Sequence, residues 1–224
     1  MDKSAKENLT LAVGHIERYN PVISFVKELI NKDHLGELIS IKSKRVSNFP
    51  GRIKDVGVIL DFGVHDIDIM RYLAGEVRTV YATAAKFNKK INFEDHADIM
   101  LTFDNGISGV IEVNWLTPIK IRKLNLTCSK KFVEIDYIQQ SICISSSTIT
   151  NVNEDNLYNI PIQSHTNYIS LERKEPLRNE IEDFLKSIES GTKPLVTGYD
   201  GLQAIKIANA ANRSYKNREV IRLK

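Results

Sequence analysis

The 224-residue chain is 42% hydrophobic and 26% charged, with 31 basic against 28 acidic side chains, a formal charge of +3 and two cysteines. That balance excludes disorder, collagen-like repeats and a disulfide-stapled scaffold, and the length suits one large domain that needs no staples. Cys128 and Cys143 are too few for a thiolate zinc site and point to a reducing compartment.

Leu9 to Gly14 reads as a short apolar strand. Asn20-Pro21 then supplies a cap and the residue best tolerated in a first helical turn, so a helix follows, with Val22, Phe25, Val26, Leu29 and Ile30 at helical spacing and Gly36 ending the segment. Glu37 to Val46 reads as a strand, and Ser47 to Gly57, holding Pro50 and Gly51, as a loop. Val58 to Leu73 is apolar for the length of a four-turn helix and stops at Ala74-Gly75. From Glu76 to about Ser147, short β-branched and aromatic runs alternate with period two and predict an antiparallel sheet. Asp104-Asn105-Gly106 joins two of these runs as a hairpin, because Asn and Gly tolerate the positive φ of a tight turn. Further strands are expected over Lys120–Cys128, Phe132–Ile138 and Ser141–Ser146, and Asn151–Glu175 reads as a long loop with one strand. Pro176 opens a helix whose Leu177, Ile181, Phe184, Leu185 and Ile188 share a face, and Gly191 ends it. Asp200 is the expected cap of a last helix with Leu202, Ile205, Ala208, Ala211 and Tyr215 inward, before a terminal strand at Val220–Leu223. The predicted class is α+β: an open, mostly antiparallel sheet with helices on one face.

One segment carries chemistry. In VILDFGVHDIDIMRYL, Asp61, His65, Asp68 and Tyr72 stand at i, i+4, i+7 and i+11, so on an α-helix they fall within about sixty degrees of one another. A polar seam on an otherwise buried helix is costly unless it is paired or lines a polar cavity. Three readings follow. The seam is an internal hydrogen-bond network, Asp61 to His65 in particular; or a carboxylate orients an imidazole that acts as a general base; or His65 with Asp61 or Asp68 binds a metal completed by Asp95 or His96. No HExxH-type spacing supports the last, and no metal is expected. His15, His34 and His165 read as packed or solvated, and Trp115 as core or an interface anchor.

No GxGxxG, P-loop or GxSxG occurs, and no run approaches the roughly 18 apolar residues of a membrane span. The opening MDKSAKENLT is charged where a secretory signal needs an apolar run, so a cytoplasmic protein is expected, with neither membrane nor nucleic acid as partner. The densest basic region, Lys42, Lys44, Arg45, Arg52 and Lys54, is interrupted by apolar and turn residues and fits an anionic small molecule better than a phosphate backbone.

VGHIERYNP at 13–21, DVGVILDFGVHDIDIMRYLAG at 55–75 and the tail from Glu175 to Asn217 resemble the C-terminal portion of the glucose-fructose oxidoreductase and inositol dehydrogenase family, Gfo/Idh/MocA, and within it members of the UDP-N-acetylglucosamine 3-dehydrogenase type. The resemblance implies residues 1–20 as the remnant of a dinucleotide-binding domain, Leu9–Gly14 being its last strand, and 21–224 as a substrate-binding and oligomerisation domain. It implies His65 as base with Asp61 its partner, and Glu17 and Arg18 in a segment that reaches the substrate; Arg45 and Arg52, with Arg18, are candidates for anionic substrate groups. It further implies NAD or NADP in the complete enzyme, none for this chain alone, a sugar or nucleotide-sugar substrate, and a homo-oligomer formed through the sheet. The family's Gly-rich turn and Glu-Lys-Pro passage are not in this sequence. The rival expectation is a non-catalytic binding or assembly module.

Overall fold

The computed structural model describes residues 1–51, 53, 55–149 and 162–223, so Arg52 and the first part of the predicted Asn151–Glu175 loop lie outside the described residues. Nine strands form one sheet: β1 (Leu38–Asn48), β2 (Val77–Ala85), β3 (His96–Phe103), β4 (Ser108–Asn114), β5 (Leu116–Cys128), β6 (Phe132–Asp136), β7 (Ser141–Ile149), β8 (Ile162–Ser170) and β9 (Ile221–Arg222). Their order is β8-β7-β6-β5-β1-β4-β3-β2-β9. The β1–β4 pair is parallel and the other neighbours are antiparallel. The β3–β4 hairpin turns on Gly106 at φ 86°, while the Asn105 amide donates to the carbonyl of Ala74 at 2.7 Å and ties the turn to the helix above it.

One face of the sheet is covered. Ile41, Ala97, Ile99, Leu101, Phe103, Ile111, Val113, Leu124 and Leu126 point to it, and α3 (Val64–Ala74) lies over it with Ile67, Ile69, Met70 and Leu73 buried. Helix α2 (Pro21–Asn31) starts where the sequence predicts, with Asn20 accepting from the amide of Val22 and Pro21 in the first turn; it ends at Lys32, before Gly36. The final helix, α5 (Gly198–Asn217), differs from expectation in two ways. Thr197 is its cap, and Asp200 stands at its third position in a reciprocal capping box. Its buried residues are Gly201, Ala204, Ile207, Ala208, Ala210, Ala211 and Ser214, while Leu202 and Ile205 are exposed, because small side chains let the helix approach β2 and α3 closely. A Cβ on Gly201 would stand 2.8 Å from a methyl of Val13.

One further expectation is corrected. Leu9–Gly14 forms no strand; only Ala12 makes an isolated bridge, to Thr197, since the segment lies against the loop before α5 and not against a sheet edge. The short helix α1 (Asp2–Lys6) precedes it. On α4 (Pro176–Ser190) the predicted apolar face exists but is not core: Leu177, Ile181, Leu185 and Ile188 are each about half exposed. Phe184, Ile188, Leu9, Leu11 and Tyr199 line one open hollow of about 990 Å³, so this face continues into an apolar ridge along the N-terminal segment.

No element among the described residues covers the other sheet face, which is mixed. It shows Lys42, Lys44, Asp98, Glu112 and Thr102 around Tyr81, Met100 and Val110, with Lys44 paired to Glu112 at 2.9 Å. Apolar groups are therefore present on both faces but are the minority on this one. No helix among the described residues is long and apolar enough to cross a membrane.

Candidate active site

The predicted helix over 58–73 opens with a π-helical turn, Ile59–Gly63, before α3 begins. Its first amides are held from a distance: the carboxylate of Glu94 accepts from the amide of Ile59 at 3.3 Å, and the Glu94 carbonyl accepts from Val58 at 3.0 Å. A Cβ at Gly57 would strike that carboxylate, so glycine is what admits the cap. The four residues of the predicted seam therefore stand on two kinds of turn, Asp61 on the π-helical one and His65, Asp68 and Tyr72 on α3.

His65 points from the first turn of α3 toward His15, the ring centres 5.9 Å apart and the planes at 88°. Its Nδ1 is shielded and makes no hydrogen bond among the described residues, so Asp61 does not orient the ring through that nitrogen. Asp68 accepts two hydrogen bonds from Arg18, at 2.7 and 2.8 Å, while Arg18 also donates to Asp200 at 2.9 Å. Tyr72 lies under the guanidinium of Arg18 and the ammonium of Lys27, at 4.8 and 5.0 Å from its ring centre. Three of the seam's residues thus have different surroundings: a partly buried imidazole at His65, a buried ion-pair network at Asp68, and a cation-stacked ring at Tyr72.

Strand β1 and the 3₁₀ turn Ile16–Tyr19 complete the surroundings of His65. Arg45, on the covered face of β1, donates to Asp66 at 2.6 Å and to Glu17 at 2.9 Å, and the same oxygen of Glu17 lies 3.4 Å from the guanidinium of Arg122 on β5. Burial pushes the Glu17 carboxyl up, but Arg45 and Arg122 outweigh it and leave it below the ordinary carboxylate range. Burial is also the largest effect on His65; with the guanidinium of Arg45, coupling to the His15 ring and the guanidinium of Arg122 it lowers the imidazole to about 4, so the ring is neutral at pH 7. His15 is only 6% exposed, and burial lowers it too. Neither of its ring nitrogens has a hydrogen-bond partner among the described residues; the closest charge is Asp68 at 4.0 Å.

The structure therefore brings His65, Glu17 and Arg45 together and gives Arg18 and Arg45 over to buried carboxylates. Both guanidiniums are almost fully buried, and what they hold first is the fold. Sequence reasoning passed over Asp66, Arg122 and Lys120, and read His15 only as packed or solvated. Asp66 and His15 stood in the quoted motifs, but nothing local distinguishes their surroundings; Arg122 becomes visible only through sheet register. Asp95 is used by the amides of Phe87 and Asn88, and His96 neighbours Asp98, so neither approaches His65 as a ligand. Among the described residues no three His, Cys, Asp or Glu side chains converge to hold a metal.

A neutral, partly open imidazole surrounded by fixed charges can accept a proton from a hydroxyl that enters beside it. Comparison with known proteins gives this geometry a context. The model of the GFO/IDH/MocA C-terminal domain matches residues 23–134. An uncharacterized oxidoreductase of Bacillus subtilis is 30% identical over 219 residues, covering 93% of this chain and 62% of its own length. The UDP-N-acetylglucosamine 3-dehydrogenase of Acidithiobacillus ferrooxidans is 25% identical over 210 residues, covering 91% of this chain and 61% of its own. The chain thus spans about three fifths of each of these relatives. A solved structure of the Acidithiobacillus enzyme superposes with a TM-score of 0.82 at 22% identity over 96% of this chain and 66% of that one. Levoglucosan dehydrogenase in complex with NADH and L-sorbose superposes with a TM-score of 0.78 at 18% identity, over 97% and 67%. With its sheet order, its helices on one face and the match over residues 23–134, the chain belongs to the GFO/IDH/MocA family, of which it carries the C-terminal domain.

Proposed function

We propose that this chain is the substrate-binding, base-carrying domain of an NAD(P)-dependent dehydrogenase that oxidises a hydroxyl of a sugar or nucleotide sugar, with His65 as the base. The observation that carries the reading is His65 itself: a partly open imidazole, kept neutral by burial and by neighbouring cations, on a helix otherwise packed into the core. The residues of this chain do not fit a dinucleotide. Among the described residues no strand–glycine turn–helix offers backbone amides to a pyrophosphate, which supports a hydride acceptor held outside them.

The chain's own part is proton chemistry and positioning. His65 takes the hydroxyl proton through Nε2, since Nδ1 is shielded. Glu17, locked between Arg45 and Arg122, places a fixed negative charge near the imidazolium that forms, and Asp61 lies among the charges felt by Arg122. The apolar ridge of Leu9, Leu11, Ile181, Phe184 and Ile188 is the surface on which a cofactor-bearing partner domain docks, and the uncovered sheet face is where two copies meet.

Joining the chain to the cofactor-binding portion of the Acidithiobacillus relative tests the reading. His65→Asn should lower kcat by roughly 10²–10⁴ with cofactor binding unchanged. Equal turnover per folded molecule in the variant would refute the role of His65. Calorimetry of the chain alone with NAD and NADH should show no binding, and micromolar affinity would place the cofactor site within it.

A further inference from the structure

Arg45 and Arg122 are direct cross-strand partners in the β1–β5 register. Partners in register point to the same side of a sheet, so two guanidiniums are set side by side on the covered face, where like charges oppose each other. One carboxylate oxygen, of Glu17, serves both, at 2.9 and 3.4 Å. Arg45 has a second partner in Asp66, but among the described residues Arg122 has only that long contact to Glu17, and its side chain is 30% exposed. Lys120 is two residues along β5, is exposed, and lies among the charges of Arg122, Glu17 and Arg45.

Resting on the function proposed above, we infer that Arg122 and Lys120 form the seat for an anionic group of the substrate, a carboxylate or a phosphate, beside His65. A planar guanidinium with one weakly held edge offers the paired donors that such a group accepts, and the adjoining ammonium adds charge without fixing geometry. The seat also acts on the base. His65 is faced by Arg45 from β1, Arg122 from β5, and His15 and Glu17 from the N-terminal segment, and the cations among them hold its proton affinity down. An anion on Arg122 offsets one of those cations, so a charged substrate raises the basicity of the imidazole that must deprotonate it.

Nuclear magnetic resonance on the isotopically labelled chain tests this without any turnover. The probes are D-glucuronate, UDP and, as the neutral control, D-glucose, at matched ionic strength. Glucuronate or UDP should shift the Arg122 Nε–H signal and raise the titration midpoint of the His65 ring, and glucose should do neither. A response to glucuronate alone assigns the seat to a carboxylate, and to UDP alone to a phosphate. Arg122→Gln should raise the His65 midpoint of the free chain, weaken binding of the active probe by tenfold or more, about the worth of one charge-assisted hydrogen bond, and abolish its effect on His65. Lys120→Gln, at an exposed position, should weaken binding by a smaller factor and leave the fold intact. An Arg122 signal that stays put at millimolar glucuronate and UDP overturns the inference, as does unchanged affinity in both variants. Either result leaves the base assignment standing, because that is decided by turnover in the His65→Asn enzyme.

Discussion

Holding His65 neutral has a thermodynamic consequence that can be measured on the chain as it stands. The imidazole sits at about 4 when folded and at about 6.5 when unfolded. Its folded value is depressed, so as pH falls through 6.5 the unfolded chain takes up a proton that the native chain refuses, and stability falls with it. Between pH 7 and pH 5 this one group should remove about 2 kcal/mol of unfolding free energy, and His15, lowered in the same direction, adds to the loss. For a domain of this length, 2 kcal/mol corresponds to about 4–8 °C in Tm. Urea melts at the two pH values, on the native chain and on His65→Gln, isolate the contribution: the variant should lose about 2 kcal/mol less on acidification. Equal losses in both proteins would mean that His65 titrates normally, and the account of its burial and flanking cations would be wrong.

Asp68 and Arg18 form a pair whose side chains are 0% and 5% exposed, so Asp68→Ala leaves a guanidinium buried with Asp200 and the carbonyl of Leu195 as its remaining partners, and denaturant melts should show a loss of about 3–5 kcal/mol. If two copies meet through the uncovered sheet face, Met100→Asp should convert a dimer to a monomer in light scattering at micromolar concentration, while a native chain that is monomeric refutes the sheet-face assembly. Ile181→Asp on the α4 ridge should change the stability of the chain alone by no more than about 0.5 kcal/mol, since the side chain is already half exposed; a larger loss in melts would show that the ridge is covered in solution.

Local signals were the legible ones. Asn20-Pro21 starts α2 and Asp104-Asn105-Gly106 turns the β3–β4 hairpin because caps and tight turns depend on a few adjacent residues. The apolar length from Val58 to Leu73 likewise predicts a buried helix. The π turn at its start was not legible, since it is held by Glu94, thirty-five residues beyond Ile59. What packs against α4 and α5 was hidden for another reason. Periodicity shows that a helix has an apolar stripe but not what lies against it, so the α4 stripe is exposed and α5 buries its alanines in place of Leu202 and Ile205. Arg122 was invisible because its meaning comes from standing opposite Arg45, and register between strands so far apart in sequence is set by the whole sheet.

The same distribution of charges explains why the candidate base is His65 and not a carboxylate. Asp66, Asp68 and Glu17 all lie in the buried layer between sheet and helices, and each is held by an arginine: Asp66 and Glu17 by Arg45, Asp68 by Arg18. Protonating any of them would leave a buried guanidinium short of a counter-charge, a cost that stands even at Asp66, where burial raises the carboxyl above the ordinary range. His65 has no such partner on its shielded nitrogen. It can change charge without breaking an ion pair, and what sets its readiness to do so is the balance among Arg45, Arg122, His15 and Glu17 around it. Of these, Arg122 is the one with a partly exposed side chain and, among the described residues, a single long contact, so a ligand can alter its charge balance without dismantling the fold.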